Sequence, residues 1–267
     1  MKNTDIIIFG GQSNMQGQCE MLSESNAVEG AFEYKLLSNE LVPLANPVGE
    51  TIRTDGGAGI PFSNSCTDLE AWLKEHVTGS ACYGHTNLVP EFCRAYIKET
   101  QANVVAAHIA KGSSVIAQWL PGTPGYDIII KKASTAIEKT SQSYNIGNIF
   151  FVWLQGESDA INGNSKEYYK EKLTLLCDSL KKDININKFG VIRVGRFTND
   201  ERDLEIISAQ DEVCLENNDF LMLTDVAVKL NAIPEYMNPH VHGHYSAKGL
   251  ETLGRLAGET LGKYASL

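Results

Sequence analysis

"DIIIFGGQSNMQG", from Asp5 to Gly17, is the stretch whose reading decides the architecture. Ile6, Ile7, Ile8 and Phe9 form an unbroken apolar run, the pattern of a parallel strand covered on both faces. Two glycines end it, and Ser13 follows among amide side chains. Serine, asparagine and glycine are ordinary turn residues, so this loop reads either as a polar turn or as a nucleophile held at a strand end.

Further runs of the same kind recur along the chain. "VVAAHI" (Val104 to Ile109), "IFFVWL" (Ile149 to Leu154) and "GVIRV" (Gly190 to Val194) read as strands, and "FLML" (Phe220 to Leu223) as a weaker fifth. Helical segments lie between and after them: "LVPEFCRAYIKETQ", "YDIIIKKASTAIEKTSQ", "SKEYYKEKLTLLCDSLKKD" with Ser165 as N-cap, and Ala247 to Tyr264. Alternating strand and helix predicts a three-layer α/β/α fold around a parallel sheet of about five strands. Residues 19–80, with the glycine-rich "RTDGGAGIPFSNS", read as an irregular excursion near the site. The 267 residues, 43% of them hydrophobic, show no linker and are expected to form one domain.

The formal net charge of −10 is spread along the chain, which argues against nucleic acid or an anionic membrane as partner and favours a neutral or weakly charged substrate. No apolar stretch approaches membrane-spanning length, and the N-terminus is too short for a signal peptide, so a cytoplasmic location is expected. Cys19, Cys66, Cys82, Cys93, Cys177 and Cys214 are scattered without a CxxC pair, the pattern of free buried thiols.

In an open parallel sheet, function gathers at the carboxyl ends of the strands. The loops there carry the chemistry. After the first strand comes Ser13, flanked by Gln12 and Asn14, which are expected to meet the substrate. After the second comes "KGSSVIAQW", with Gly112, Ser113 and Trp119; after the third, "QGESD", with Gln155, Glu157 and Asp159. Before the last helix stands "NPHVHGHYSAKG", with His240, His242 and His244. Acyl transfer needs a nucleophile, a base, an orienter for that base and donors aimed at an oxyanion. Ser13, one of the last three histidines (a base), Glu157, and the N–H groups of Ser13 and Gly112 or Ser113 with the Gln155 carboxamide supply that set. Trp119 reads equally as a wall for a sugar face or as core. Met15 stands where a GxSxG elbow would place its last glycine, and no GxxxxGK[ST] loop occurs, which argues against the α/β-hydrolase superfamily and phosphate binding.

Taken together, "GGQSNMQG", "KGSS...W", "WLQGESD" and "GHYSAKG" resemble the SGNH hydrolase superfamily, and more narrowly carbohydrate esterase family six and the sialate O-acetylesterase-like (SASA) domains. The likeness runs from Asp5 to Gly262. It implies a flavodoxin-like, doubly wound sheet, Ser13 as nucleophile, Gly112 and Gln155 in the oxyanion role, and His244 as base. Two departures stand out. Ser113 replaces a second glycine, and Val241 occupies the place of the orienting aspartate three residues before the histidine. The resemblance then leaves a Ser–His dyad, Glu157, or secondly Asp225, to orient His244. The function implied is removal of O-acetyl groups from carbohydrates, from acetylated xylo-oligosaccharides or O-acetyl sialic acid, with no cofactor. Two other readings remain: a carbohydrate-binding protein without catalysis, motivated by Val241, and a metal hydrolase on the His240/His242/His244 tract.

Overall fold

A computed structural model describes residues 3–19, 27–36, 38–49 and 86–267. Its strands are β1 (Thr4–Gly11), β2 (Ala31–Lys35), β3 (Glu40–Pro43), β4 (Asn103–Ala110), β5 (Ile146–Leu154), β6 (Lys188–Ile192) and β7 (Phe220–Thr224). They form one seven-stranded sheet in the order β3-β2-β4-β1-β5-β6-β7. All neighbours are parallel except β3, which returns antiparallel to β2. The sheet is therefore larger than the five expected strands. β2 and β3 lie inside the segment read as an irregular excursion, much of which is outside the described residues.

The described helices of four or more residues are α1 (Ser13–Gln16), α2 (Val89–Thr100), α3 (Pro124–Ser141), α4 (Glu157–Ile161), α5 (Lys166–Ile184), α6 (Glu201–Glu216), α7 (Ala227–Asn231) and α8 (Ala247–Ala265). Helix α2 packs on α8, while α3 and α6 both pack on α5. Local sequence explains their ends: Thr123, Ser165 and Ser246 each accept a backbone N–H in the first turn of α3, α5 and α8. Sequence periodicity did not announce α6. Its apolar residues are sparse among acidic ones, and only Ile206, Ile207, Ala209 and Val213 supply a buried apolar face.

β1 lies between β4 and β5, and the chain turns from one half of the sheet to the other across it. Its four apolar side chains are wholly buried. Each contributes about 1.5–3 kcal/mol of burial, so the strand is the anchor of the sheet. Gly11 pairs with Ala110 on one side and Leu154 on the other, so three adjacent strands end level. That register sets the loops after β1, β4 and β5 side by side at the switch point, where such sheets bind ligands.

Candidate active site

The two glycines answer the question raised by the first loop. Gly11 has φ +153°, and a β-carbon there would sit 2.1 Å from the Leu154 carbonyl oxygen. Only glycine lets the chain leave β1 this close to β5 and turn into α1. Ser13 is the first residue of that helical turn and is buried. Its Oγ lies 2.8 Å from Nε2 of His244, a residue 231 positions away.

The other ring nitrogen, His244 Nδ1, is 2.7 Å from the His242 carbonyl oxygen. A carbonyl only accepts, so Nδ1 carries the proton and Nε2 presents its lone pair to the serine hydroxyl. The turn makes this possible. The His244 N–H donates to the Val241 carbonyl at 3.3 Å, and Gly243 adopts φ +70°. Any β-carbon on Gly243 would lie 2.3 Å from the Phe197 ring, which stands edge-on to both the His242 and His244 imidazoles. Phe197 is held in turn by Asp203, whose buried carboxylate accepts the N–H groups of Phe197, Thr198 and Asn199.

Glu157 does not reach the imidazole nitrogens as an orienter. Its Oε1 accepts from Asn14 Nδ2 at 2.8 Å, and burial raises its pKa. Asp225 is farther still. It follows β7, three strands from β1 or ~14 Å at ordinary strand spacing, and it lies beside Arg193 with its side chain largely exposed. The position left open by Val241 is filled by main chain. Nor do the three histidines converge: His244 has both nitrogens engaged, His242 Nε2 lies 3.0 Å from the Phe197 carbonyl, and no metal-holding cluster of His, Cys, Asp or Glu occurs among the described residues. The metal-centre alternative has no donor set here.

Gln155 is also placed differently from expectation. Its carboxamide is fully buried, with Nε2 donating to Asp159 Oδ2 (2.6 Å), the Ser114 carbonyl (2.9 Å) and Gln12 Oε1 (3.1 Å). Two N–H bonds with three acceptors leave no donor for an oxyanion. Gln12 Oε1 likewise accepts the N–H groups of Gly156 and Ser158, so this amide braces the loops although it borders the cleft. Asn14 is turned toward Glu157 and the histidine turn, not toward substrate. Trp119 belongs to the core: it is wholly buried, edge-on to Trp153, and its Nε1–H donates to Ser114 Oγ.

A cleft of about 270 Å³ opens over the serine and histidine. Gln16, Gln18, Lys111, Ser113, Ile161 and Phe197 complete its walls, and sequence reasoning had singled out only Ser113 of these. Gln16 stood inside the first motif and Lys111 directly before Gly112; Phe197, beyond β6, had no local signal. The Gly112 N–H donates to Gln16 Oε1 at 3.0 Å, whereas the Ser13 and Ser113 N–H groups have no acceptor among the described residues. Lys111 is half-buried, with Nζ 3.5 Å from the Gly112 carbonyl and no carboxylate within ion-pair distance among the described residues. Burial lowers its pKa. Burial also lowers that of His244, partly offset by the carbonyl bond.

A hydroxyl paired with an imidazole at the switch point of a doubly wound sheet fits the serine hydrolases of the GDSL/SGNH fold, and that is the fold found here. Residues 3–261 match the family described as carbohydrate esterase, sialic acid-specific acetylesterase (SASA), and the chain belongs to it. The probable carbohydrate esterase At4g34215 of Arabidopsis thaliana is 24% identical over 196 residues, 71% of this chain and 68% of the plant protein. Its crystal structure superposes with a TM-score of 0.65 at 16% identity, covering 98% of each chain. NanS gives a TM-score of 0.65 at 13% identity over 97% of each chain. A lipase/acylhydrolase from Enterococcus faecalis gives 0.53 at 15%, over 97% of this chain and 96% of the other.

Proposed function

We propose that this member of a carbohydrate-esterase family is a serine O-acetylesterase working through an acetyl-serine intermediate. The observation that carries the reading is the 2.8 Å contact of Ser13 Oγ with His244 Nε2, with Nδ1 committed to a carbonyl. Ser13 attacks the ester carbonyl as His244 takes its proton. The tetrahedral oxyanion is met by the backbone N–H groups of Ser13 and Ser113, and by Gly112 when Gln16 releases it. His244 then protonates the leaving sugar hydroxyl. Water, deprotonated by the same imidazole, attacks the acetyl-serine, and acetate leaves as the proton returns to Ser13.

Lys111 bears on the choice between neutral and acidic sugars. An ammonium held half out of water without a carboxylate partner is unfavourable unless a ligand completes it. Arg193, Arg196, Arg202 and Lys248 all have carboxylate partners. Lys111 therefore supports an ester bearing a negative charge, a sialic-acid type of sugar over a neutral xylo-oligosaccharide. The whole-protein charge of −10 suggested a neutral substrate; the local cation argues otherwise.

The test has two arms. A phosphonate ester should label Ser13, and aryl acetate hydrolysis should vanish in Ser13→Ala; persistence of activity there removes the reading. In the second arm, acetyl esters of a neutral and a carboxylate-bearing sugar are compared in wild type and Lys111→Met. A loss of about tenfold in kcat/KM for the acidic ester alone is expected from one partly buried charged contact. Equal behaviour toward both esters would return the neutral sugar.

A further inference from the structure

The acid of a serine triad fixes the tautomer of the histidine and holds the ring in place. Here those two tasks are separated. The tautomer is settled inside the turn, by the His242 carbonyl on Nδ1. Placement is the other task, and the turn has little burial to settle it: His240 and His242 are exposed and Gly243 is conformationally free. Ser13 must still find Nε2 at hydrogen-bond distance.

Asn14 bridges the two. It is the residue next to the serine, and its carboxamide holds the residues on either side of the histidine. Nδ2 donates to the Gly243 carbonyl at 3.3 Å, and Oδ1 accepts the Tyr245 N–H at 3.2 Å. Reversing the amide would set Nδ2 against an N–H and Oδ1 against a carbonyl. Glu157 Oε1, which accepts the remaining Nδ2 proton at 2.8 Å, selects the productive orientation. Glu157 is buried, and no ion pair involving it occurs among the described residues; Oε2 has no partner there either. A buried carboxyl without a cation is unfavourable, so its retention calls for a task. Its one side-chain partner, Asn14, identifies that task.

We propose that Asn14 is the positioning residue that holds His244 in register with Ser13, and that Glu157 acts on His244 only by orienting the Asn14 carboxamide. This deepens the esterase reading and rests on it. Glutamine at 157 still offers an oxygen to Asn14, whereas a residue needed for its charge tolerates no such exchange.

Steady-state kinetics on an aryl acetate separate the possibilities. Glu157→Gln should keep kcat within about tenfold of wild type. Asn14→Leu, of the same size but without donors, should lower kcat by about a hundredfold with little change in KM, the order expected of a misplaced reacting group. Asn14→Gln, which restores an amide one methylene off, should recover part of it. Imidazole-region NMR gives a readout independent of turnover: the protected His244 Nδ1–H signal should persist in Glu157→Gln and exchange faster in Asn14→Leu. A collapse of kcat in Glu157→Gln to the level of Ser13→Ala, about 10⁴-fold or more, would assign the charge itself to the mechanism and overturn the proposal. Wild-type kcat in Asn14→Leu would overturn it too, as would an unchanged Nδ1–H signal. If wild type shows no Ser13-dependent hydrolysis, the esterase reading fails, and the NMR comparison still decides the part played by Asn14. If Asn14→Leu does not fold, Asn14→Ala takes its place with the same outcomes.

Discussion

The two ends of the central sheet each carry a polar cleft, and they differ in one respect. At the amino end Asn3, Asp5, Glu99, Gln101 and Asn148 line a space of about 470 Å³, larger than the one over Ser13. Its buried carboxylate is fully used: Asp5 accepts the Tyr96 hydroxyl at 2.5 Å and the Asn148 N–H at 2.6 Å. At the carboxyl end, the Ser13 and Ser113 N–H groups and the Lys111 ammonium lack partners among the described residues. Volume does not distinguish a site from a structural cleft. Hydrogen-bonding capacity left unfilled, beside a hydroxyl that meets a base, does.

That contrast is open to direct attack. Ser13→Ala should lower kcat on the order of 10⁶-fold and leave the melting temperature nearly unchanged. Adding His244→Ala should cost little more, because the pair acts as one unit. Asp5→Ala should do the reverse. It leaves a buried tyrosine hydroxyl and a backbone N–H unpartnered, about 2–4 kcal/mol of stability by denaturant unfolding, with kcat/KM unchanged. A catalytic effect of Asp5→Ala would erase the distinction between the two ends.

The smallest effect is in the pH profile. Only neutral His244 takes the serine proton, and burial holds its pKa below the ordinary 6.5. The acid limb of kcat/KM should therefore fall below pH 6.5, activity being lost as pH drops through the lowered value. Stability follows the same sign. The folded state binds fewer protons than the unfolded chain in that window, so this group makes acid destabilising there. An acid limb at or above 6.5 would mean that a negative charge reaches the imidazole, and the carbonyl would not be its sole support.

Much of the fold was legible in residue patterns. The apolar runs of β1, β4 and β5 announce buried strands because both faces of a parallel strand must be covered, and Ser165 announces a helix start because its hydroxyl satisfies a free N–H. Shorter elements escaped. β2 alternates buried and half-buried residues in "AFEYK", and α6 interleaves its few apolar residues with charge. Among site residues, Ser13 and His244 stood in motifs. The parts given to Gln155, Glu157 and Trp119 did not follow from theirs, because a motif places a residue in a loop without fixing which way its side chain turns. Phe197 touches the histidine turn from a loop beyond β6, a contact that no local spacing encodes.

Composition and patterning by themselves determined the layered α/β class, the loops that carry chemistry and the pair of residues most suited to it. These follow from local rules: burial periodicity, glycine where the backbone must pass close, and hydroxyl and imidazole as the reactive types. Only the tertiary structure decided that a main-chain carbonyl occupies the place of the missing aspartate, that Gln155 is a brace, and that a lone lysine borders the serine. Hydrogen-bond partners lie up to 231 residues apart, and each group's role depends on which partners it has already satisfied.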